Sequence, residues 1–189
     1  MSGSHAVYAP SAAERWTVCT GSVQLSNTVP PGKSSVYADE GTAAHTMHDM
    51  VLNSSARALE VEWPDHVTVE GADYEVNEAM KAAVLLSTEY ILNLPGELFI
   101  EQRVKVTSVD AGLYGRLDAA VLNRENMVLE VIDFKYGAGV AVDIKNNMQL
   151  TIYGLGMIDN LDLADEIEWL KITITQPRRN TRVVSSGRN

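Results

Sequence analysis

At 189 residues the chain is long enough for one domain with a sizeable core, and its 46% hydrophobic and 21% charged residues are ordinary for a globular protein. A net charge of −10 argues against a general polyanion binder, whose affinity leans on Lys and Arg displacing counterions. No apolar run approaches the roughly 20 residues needed to span a bilayer, no charged leader followed by an apolar block is visible, and the single cysteine, Cys19, excludes an internal disulfide and a Cys-built zinc or iron–sulfur site, so a cytoplasmic protein is expected.

In chain order, Ser11-Ala12-Ala13-Glu14 has capping-box spacing and predicts a short helix through Trp16 to about Cys19. Residues 20–35 are rich in Ser, Pro, Gly and Asn and read as loop. Gly41-Thr42 opens a helix to about Leu59 with Thr42 as N-cap, which puts His45 in its first turn. Trp63-Pro64-Asp65 breaks the pattern, and the acidic run from Glu60 to Glu78 reads as a solvated surface. Asn77 to Leu94 is a third helix, closed by Pro95-Gly96.

The pattern then turns to strands: Glu97 to Thr107, Leu113 to Asn123, and Met127 to Lys135 after a tight link at Arg124-Glu125-Asn126. Short links between them predict an antiparallel meander. Tyr136-Gly137-Ala138-Gly139 is a loop, Asn146 to Ile158 a helix, and Ile167 to Thr175 a fourth strand stopped by Gln176-Pro177, with a frayed end beyond. The reading is one α/β domain over residues 1–189: a helical part to about residue 95 and a sheet core over about 96–180. Residues 1–100 hold 4 basic and 13 acidic side chains, and residues 101–189 hold 11 and 12, with Arg178, Arg179 and Arg182 near the end. A local basic groove in the second half is compatible with that distribution.

Gly115-Arg116-Leu117-Asp118 precedes one strand core, and Val131-Ile132-Asp133-Phe134-Lys135 ends the next. Asp118 among small apolar residues must face solvent, pair, or bind a metal. Side-chain alternation points Asp133 and Lys135 to one face and Phe134 to the other. A hairpin between the two strands brings Asp118 opposite Asp133, and two adjacent carboxylates repel unless a cation neutralises them. Oxygen ligands without thiolates suit Mg²⁺ or Mn²⁺, and Lys135 can orient a water or stabilise charge developing at phosphorus. Gln149 and Tyr153, four apart on a helix, share a face and can donate to phosphate oxygens.

The series Glu40-Gly41-Thr42-x-x-His45, Gly115-x-x-Asp118, Asp133-Phe134-Lys135 and Gln149-x-x-x-Tyr153 resembles the RecB-like, lambda-exonuclease-like branch of the PD-(D/E)XK nuclease superfamily. Asp133 to Gly137 with Asn147-Met148-Gln149, and Pro10-Ser11-Ala12, Arg15-Trp16 and Cys19, are similar to a phage-associated family of unknown function assigned to that branch. The resemblance covers about residues 5–180. It implies a restriction-endonuclease-like αβββαβ core, a mixed sheet of about four strands flanked by helices. It implies His45, Asp118, Asp133 and the Phe134 carbonyl as metal ligands and Lys135 as catalytic lysine beside Asp118 and Asp133. Gln149 and Tyr153 would then contact DNA or support the site, and Glu101 would help position it.

The implied activity is a Mg²⁺- or Mn²⁺-dependent deoxyribonuclease, an exonuclease by preference, acting in phage replication or recombination. DNA ends, a phage recombination protein and further copies of the chain are the implied partners, and a phage-infected or prophage-carrying bacterium the setting. The alternative is a catalytically silent nuclease-fold module that holds nucleic acid or a phage protein, to which the net charge points. The four-cysteine cluster of many RecB-like relatives is absent here. The chain stops soon after Gln176-Pro177-Arg178, where the phage pattern usually continues, so a short member or a fragment is expected. His45-x-x-His48-Asp49 also suits helical zinc or an HD phosphohydrolase, but His5 and His66 lie in apparent loops and complete neither ligand set.

Overall fold

The computed structural model describes residues 6–30, 32, 34–54, 61–179 and 183–188, the last six by their backbone alone. A 3-10 turn, Pro10–Ala12, leads into α1 (Ala13–Val18), and neither start carries a side-chain cap, so the Ser11 capping box does not form. Trp16 Nε1 instead donates to the Ala9 carbonyl at 2.9 Å. The expected loop over 20–35 contains a further helix, α2 (Ser22–Asn27).

The next helix, α3 (Val36–Asn53), starts six residues before the expected Thr42 cap. Ser35 caps it, accepting from the Ala38 amide at 3.2 Å, and the Thr42 hydroxyl bonds back to the Ala38 carbonyl at 3.1 Å. Thr42 is therefore an interior residue, and His45 sits in the third turn, not the first. The expected continuation over 55–60 lies outside the described residues. The acidic run holds a hairpin, β1 (His66–Val69) and β2 (Ala72–Glu75), and Val69 and Val76 are buried against α3 and α4 (Glu78–Leu92). Asn77 caps α4, accepting from the Met80 amide at 3.0 Å.

The main sheet has five strands in the order β3 (Glu97–Ile100), β6 (Ala119–Asn123), β7 (Val128–Phe134), β8 (Trp169–Thr175) and β9 (Val183–Arg188). The first three form the expected antiparallel meander, and β8 returns parallel to β7 after α5 (Met148–Leu161). The expected four-strand mixed sheet flanked by helices is thus present, with one addition. The end read as frayed pairs antiparallel with β8 as β9.

The two long strands expected over 97–107 and 113–123 are each broken once. β4 (Arg103–Lys105) and β5 (Tyr114–Arg116) form a separate two-stranded ladder. Register is nonetheless continuous. Ile100 faces Ala119 on one side of the break and Arg103 faces Arg116 on the other. Glu101 N–H donates to the Asp118 carbonyl at 2.9 Å and Leu117 N–H to the Gln102 carbonyl at 3.1 Å. The hairpin bends without slipping, and Glu101 takes the bend in the left-handed region, φ 49°.

Alternation sorts the sheet's two faces. Leu129, Val131, Ala120, Leu122 and Ile174 pack with Leu150, Tyr153 and Met157 of α5. Ala119, Val121 and Ile132 pack with Leu52 of α3 and Ile91 of α4. Two glycines are set by close approach. A Cβ at Gly154 would lie 2.6 Å from Leu170 of β8, and one at Gly115 would lie 2.9 Å from both Pro10 and the Tyr153 ring.

Candidate functional site

The predicted residues meet at one end of β7. One step beyond the last ladder pair, Ala119 with Ile132, the chains bring Asp118 opposite Asp133. Asp118 Oδ2 accepts from the Phe134 amide at 2.8 Å, taking the place of a ladder carbonyl. His45 Nδ1 lies 3.5 Å from Asp118 Oδ1, and Lys135 Nζ lies 2.7 Å from Asp133 Oδ2. Gln149 Nε2 reaches Asp133 Oδ1 and the Tyr153 hydroxyl, each at 3.4 Å.

Phe134 points away from this cluster, as alternation requires. Its ring is fully buried, stacked on His48 at 4.6 Å between centroids and edge-on to His45 at 5.3 Å. A carboxylate strand-end, an imidazole from α3 and an amide from α5 therefore converge because Phe134 anchors the strand between two histidines. Gly115 permits the same convergence from the other side, since any side chain there would strike Tyr153.

The electrostatics follow from this crowding. Burial and the Asp118 charge push the Asp133 carboxyl up, against Lys135 and His45, to about 6. Asp118 is driven up by burial but more than compensated by His45, the Phe134 amide and Lys135, so it lies below the usual carboxylate range. Burial lowers His45 and Lys135, and the two aspartates outweigh it, so both bases end above their ordinary values. Glu101 is raised by burial, then by Asp118 and Asp49.

An implied Mg²⁺ or Mn²⁺ can be tested against these atoms. Asp133 Oδ2 is buried, and the close cation beside it is Lys135 Nζ at 2.7 Å. A buried carboxylate oxygen met by a single ammonium, beside a second carboxylate and an imidazole, has the hard-donor chemistry these ions need. The donors do not stand as a ready-made cage: among the described residues no group of three His, Cys, Asp or Glu side chains is gathered to hold an ion. Asp118 is turned onto Phe134, and Asp133 onto Lys135.

The zinc and HD alternatives lose their second ligand. His48 is buried, its Nε2 is 2.9 Å from Ser87 Oγ, and burial holds its pKa down at about 4. Ser87 in turn meets Thr175 Oγ1 at 2.7 Å, and the Thr175 carbonyl accepts from Lys135 N–H at 2.8 Å. His48 is a brace for the site, which its i+3 spacing from His45 concealed. Gln176, expected only to end β8, is a second brace. It donates to the Gly137 and Val140 carbonyls and accepts from Val142, tying down the loop after Lys135. A buried glutamine between an apolar strand and a proline was the available signal. Arg178 pairs with Glu40 at 3.5 Å and Arg179 donates to the Ala138 carbonyl, while Arg182 lies outside the described residues. A depression of about 650 Å³ beside Asp65, His66 and Glu78 includes none of the predicted residues.

Fold and site together define a mixed α+β protein with a half-buried Asp–Asp–Lys–His cluster at the end of its central strand. Over residues 5–186 the chain matches the family described as "Protein of unknown function (DUF2800)", and it belongs to that family. No solved structure matches it. Among the described residues no helix is long and apolar enough to cross a membrane.

Proposed function

We propose that the chain is a metal-dependent deoxyribonuclease with a restriction-endonuclease-like core, hydrolysing phosphodiester bonds of DNA. One observation carries this reading: half-buried Asp118 and buried Asp133 lie opposite each other while His45 and Lys135 each touch one of them. Placing two carboxylates together costs folding energy, and hydrolysis of a phosphodiester gives that arrangement a use.

His45, Asp118, Asp133 and the Phe134 carbonyl are the groups that would hold Mg²⁺ or Mn²⁺. When bound, such an ion supplies charge neutralisation at the phosphate and a more acidic water. The chain's own groups do the rest. Lys135, kept protonated by the aspartates, meets the charge that builds on phosphate oxygens as water adds to phosphorus and the P–O bond breaks. Gln149 reaches the Asp133 carboxylate from α5, with its amide also donating to the Tyr153 hydroxyl.

The closed His45–Asp118 and Lys135–Asp133 pairs, with the net charge of −10, favour a second reading: a silent module of the same fold that holds nucleic acid or a phage protein. Incubation with linear, circular and single-stranded DNA in Mn²⁺, then in EDTA, separates the two. Cleavage that EDTA stops, and that Asp118→Ala or Lys135→Ala lowers by on the order of 10²–10³-fold or more, supports the hydrolase. Undiminished cutting by either folded variant, or no metal-dependent product from any substrate, refutes it.

A further inference from the structure

Five non-glycine residues among those described adopt positive φ, and four stand where a turn or cap requires it. Glu70 is at the β1–β2 tip, Met127 closes the β6–β7 turn, Asn146 precedes the α5 cap, and Asp162 ends α5. Glu101 alone lies in the middle of a hairpin whose register continues on both sides. A left-handed Glu with no turn to make is a cost the fold retains, and such residues gather at functional sites.

The bend has a specific consequence. Across it, Glu101 N–H holds the Asp118 carbonyl, and Gln102 holds the Leu117 amide. Asp118 therefore leaves the β6 ladder at its first residue, and its side chain, not its backbone, meets the Phe134 amide. The carboxylate of Glu101 spans the bend to Arg116 at 3.5 Å, a diagonal pair on one face. Straightening the hairpin would return Asp118 to an ordinary strand position and withdraw it from Phe134.

We propose that the left-handed turn at Glu101 is the positioning element that aims Asp118 at the end of β7, by its backbone conformation rather than by its charge. The functional meaning rests on the hydrolase reading, while the geometry can be tested without it. The chain has two phenylalanines, Phe99 and Phe134, so selective ¹⁵N-phenylalanine labelling yields one reporting amide and one control. The charge-assisted bond from Asp118 moves the Phe134 amide proton downfield, and Asp118→Ala supplies the reference for its complete loss.

Glu101→Gly accepts the left-handed turn without strain, Glu101→Ala carries about the same backbone penalty as glutamate, and β-branched Glu101→Val resists the turn most strongly. The expected result is a Phe134 signal at the wild-type position in Glu101→Gly. In Glu101→Val it moves most of the way to the Asp118→Ala reference, while Glu101→Ala, which loses the charge and keeps the backbone penalty, stays at the wild-type position, with Phe99 unmoved. Mn²⁺ affinity, read by titration of the metal alone, should fall about tenfold in Glu101→Val and stay near wild type in Glu101→Gly. A Glu101→Gly signal displaced as far as that of Glu101→Val, or a folded Glu101→Val that keeps the wild-type signal, overturns the proposal. Should Glu101→Val not fold, β-branched Glu101→Thr takes its place with the same expectation and the same overturning result, and a Glu101→Ala signal displaced as far as that of the β-branched variant assigns the placement to the charge and overturns the proposal. A wild-type protein that binds no Mn²⁺ defeats the hydrolase reading alone, because the Phe134 signal still decides what Glu101 does.

Discussion

Strand β7 carries two buried carboxylates three residues apart, Glu130 at 5% exposure and Asp133 at 4%, on opposite faces of one sheet. Glu130 faces α4 and is fully engaged. Tyr90 and Thr173 hydroxyls donate to Oε1 at 2.6 Å each, and Lys171 Nζ lies 3.0 Å from Oε2. Asp133 faces α5, with the Gln149 amide at 3.4 Å on one oxygen, Lys135 Nζ at 2.7 Å on the other, and a second aspartate opposite. A buried charge with every lone pair answered is a fastener. A buried charge with another of the same sign opposite it is held there against its own energetics, as groups with a chemical task are.

The largest contrast between the two is in cleavage. Loss of Asp118 or Lys135 on the Asp133 face should remove it, as set out above, whereas loss of Glu130 should leave it unchanged per folded molecule. Glu130→Ala acts on stability instead. It strands the Tyr90 and Thr173 hydroxyls and unpairs Lys171, at a cost of about 3 kcal/mol, which for a chain of this length is roughly 6–12 °C in Tm. A thermal melt checks this, and a change below about 1 kcal/mol would mean that the network is rebuilt by water.

Asp133 should behave in the opposite sense. Its carboxyl is raised from 3.8 to about 6, by burial first and the Asp118 charge second. Folding therefore favours its protonated form. That contribution is complete below about pH 4 and is lost as pH rises through about 6. Metal-free protein at pH 7.5 bears the whole penalty, and Asp133→Asn, which cannot ionise, should be more stable there by about 2 kcal/mol, roughly 4–8 °C. The gain should shrink as pH falls from 6 toward 4, and Mn²⁺ should narrow it by stabilising the wild type only. An Asp133→Asn melt in EDTA that matches or lies below wild type at pH 7.5 would remove the contrast with Glu130.

The two faces were not equally legible in the sequence. Asp118, Asp133 and Lys135 could be placed because strand alternation is a strict period of two, and a hairpin with a short link fixes which residues oppose. The helix holding His45 was found but started too late, because Gly41-Thr42 looks like an opening and only tertiary packing carries a helix through it. The hairpin over 66–75 was hidden by its charge, since one face of a short ribbon can be fully solvated. β9 was hidden because an edge strand takes its stability from its neighbour rather than from its own composition. The bend at Glu101 had no local signal at all: nothing in Ile100-Glu101-Gln102 marks a left-handed residue, and the carbonyl its amide meets lies across the hairpin at Asp118. Glu130 lies within an apolar strand, and the hydroxyls that hold it come from residues 40 and 43 positions away.

Gln149 gives the smallest predicted effect and the sharpest comparison of roles. It sits against Asp133 as Thr173 sits against Glu130, but at 3.4 Å rather than 2.6 Å. Two contacts at the long edge of the hydrogen-bond range contribute little, about 1 kcal/mol or less together. If Gln149 only steadies Asp133, then Gln149→Ala should lower kcat by about fivefold or less, leave KM for DNA within about twofold, and shift Tm by no more than about 2–4 °C. If its amide instead leaves Asp133 to bind a phosphate oxygen in the complex, KM rises while kcat holds, because binding common to ground and transition states has been removed. Steady-state kinetics on a linear duplex therefore decide whether α5 serves the carboxylate or the substrate. A hundredfold fall in kcat would contradict both, and would mean that the long contacts in the free protein tighten into essential ones as the reaction proceeds.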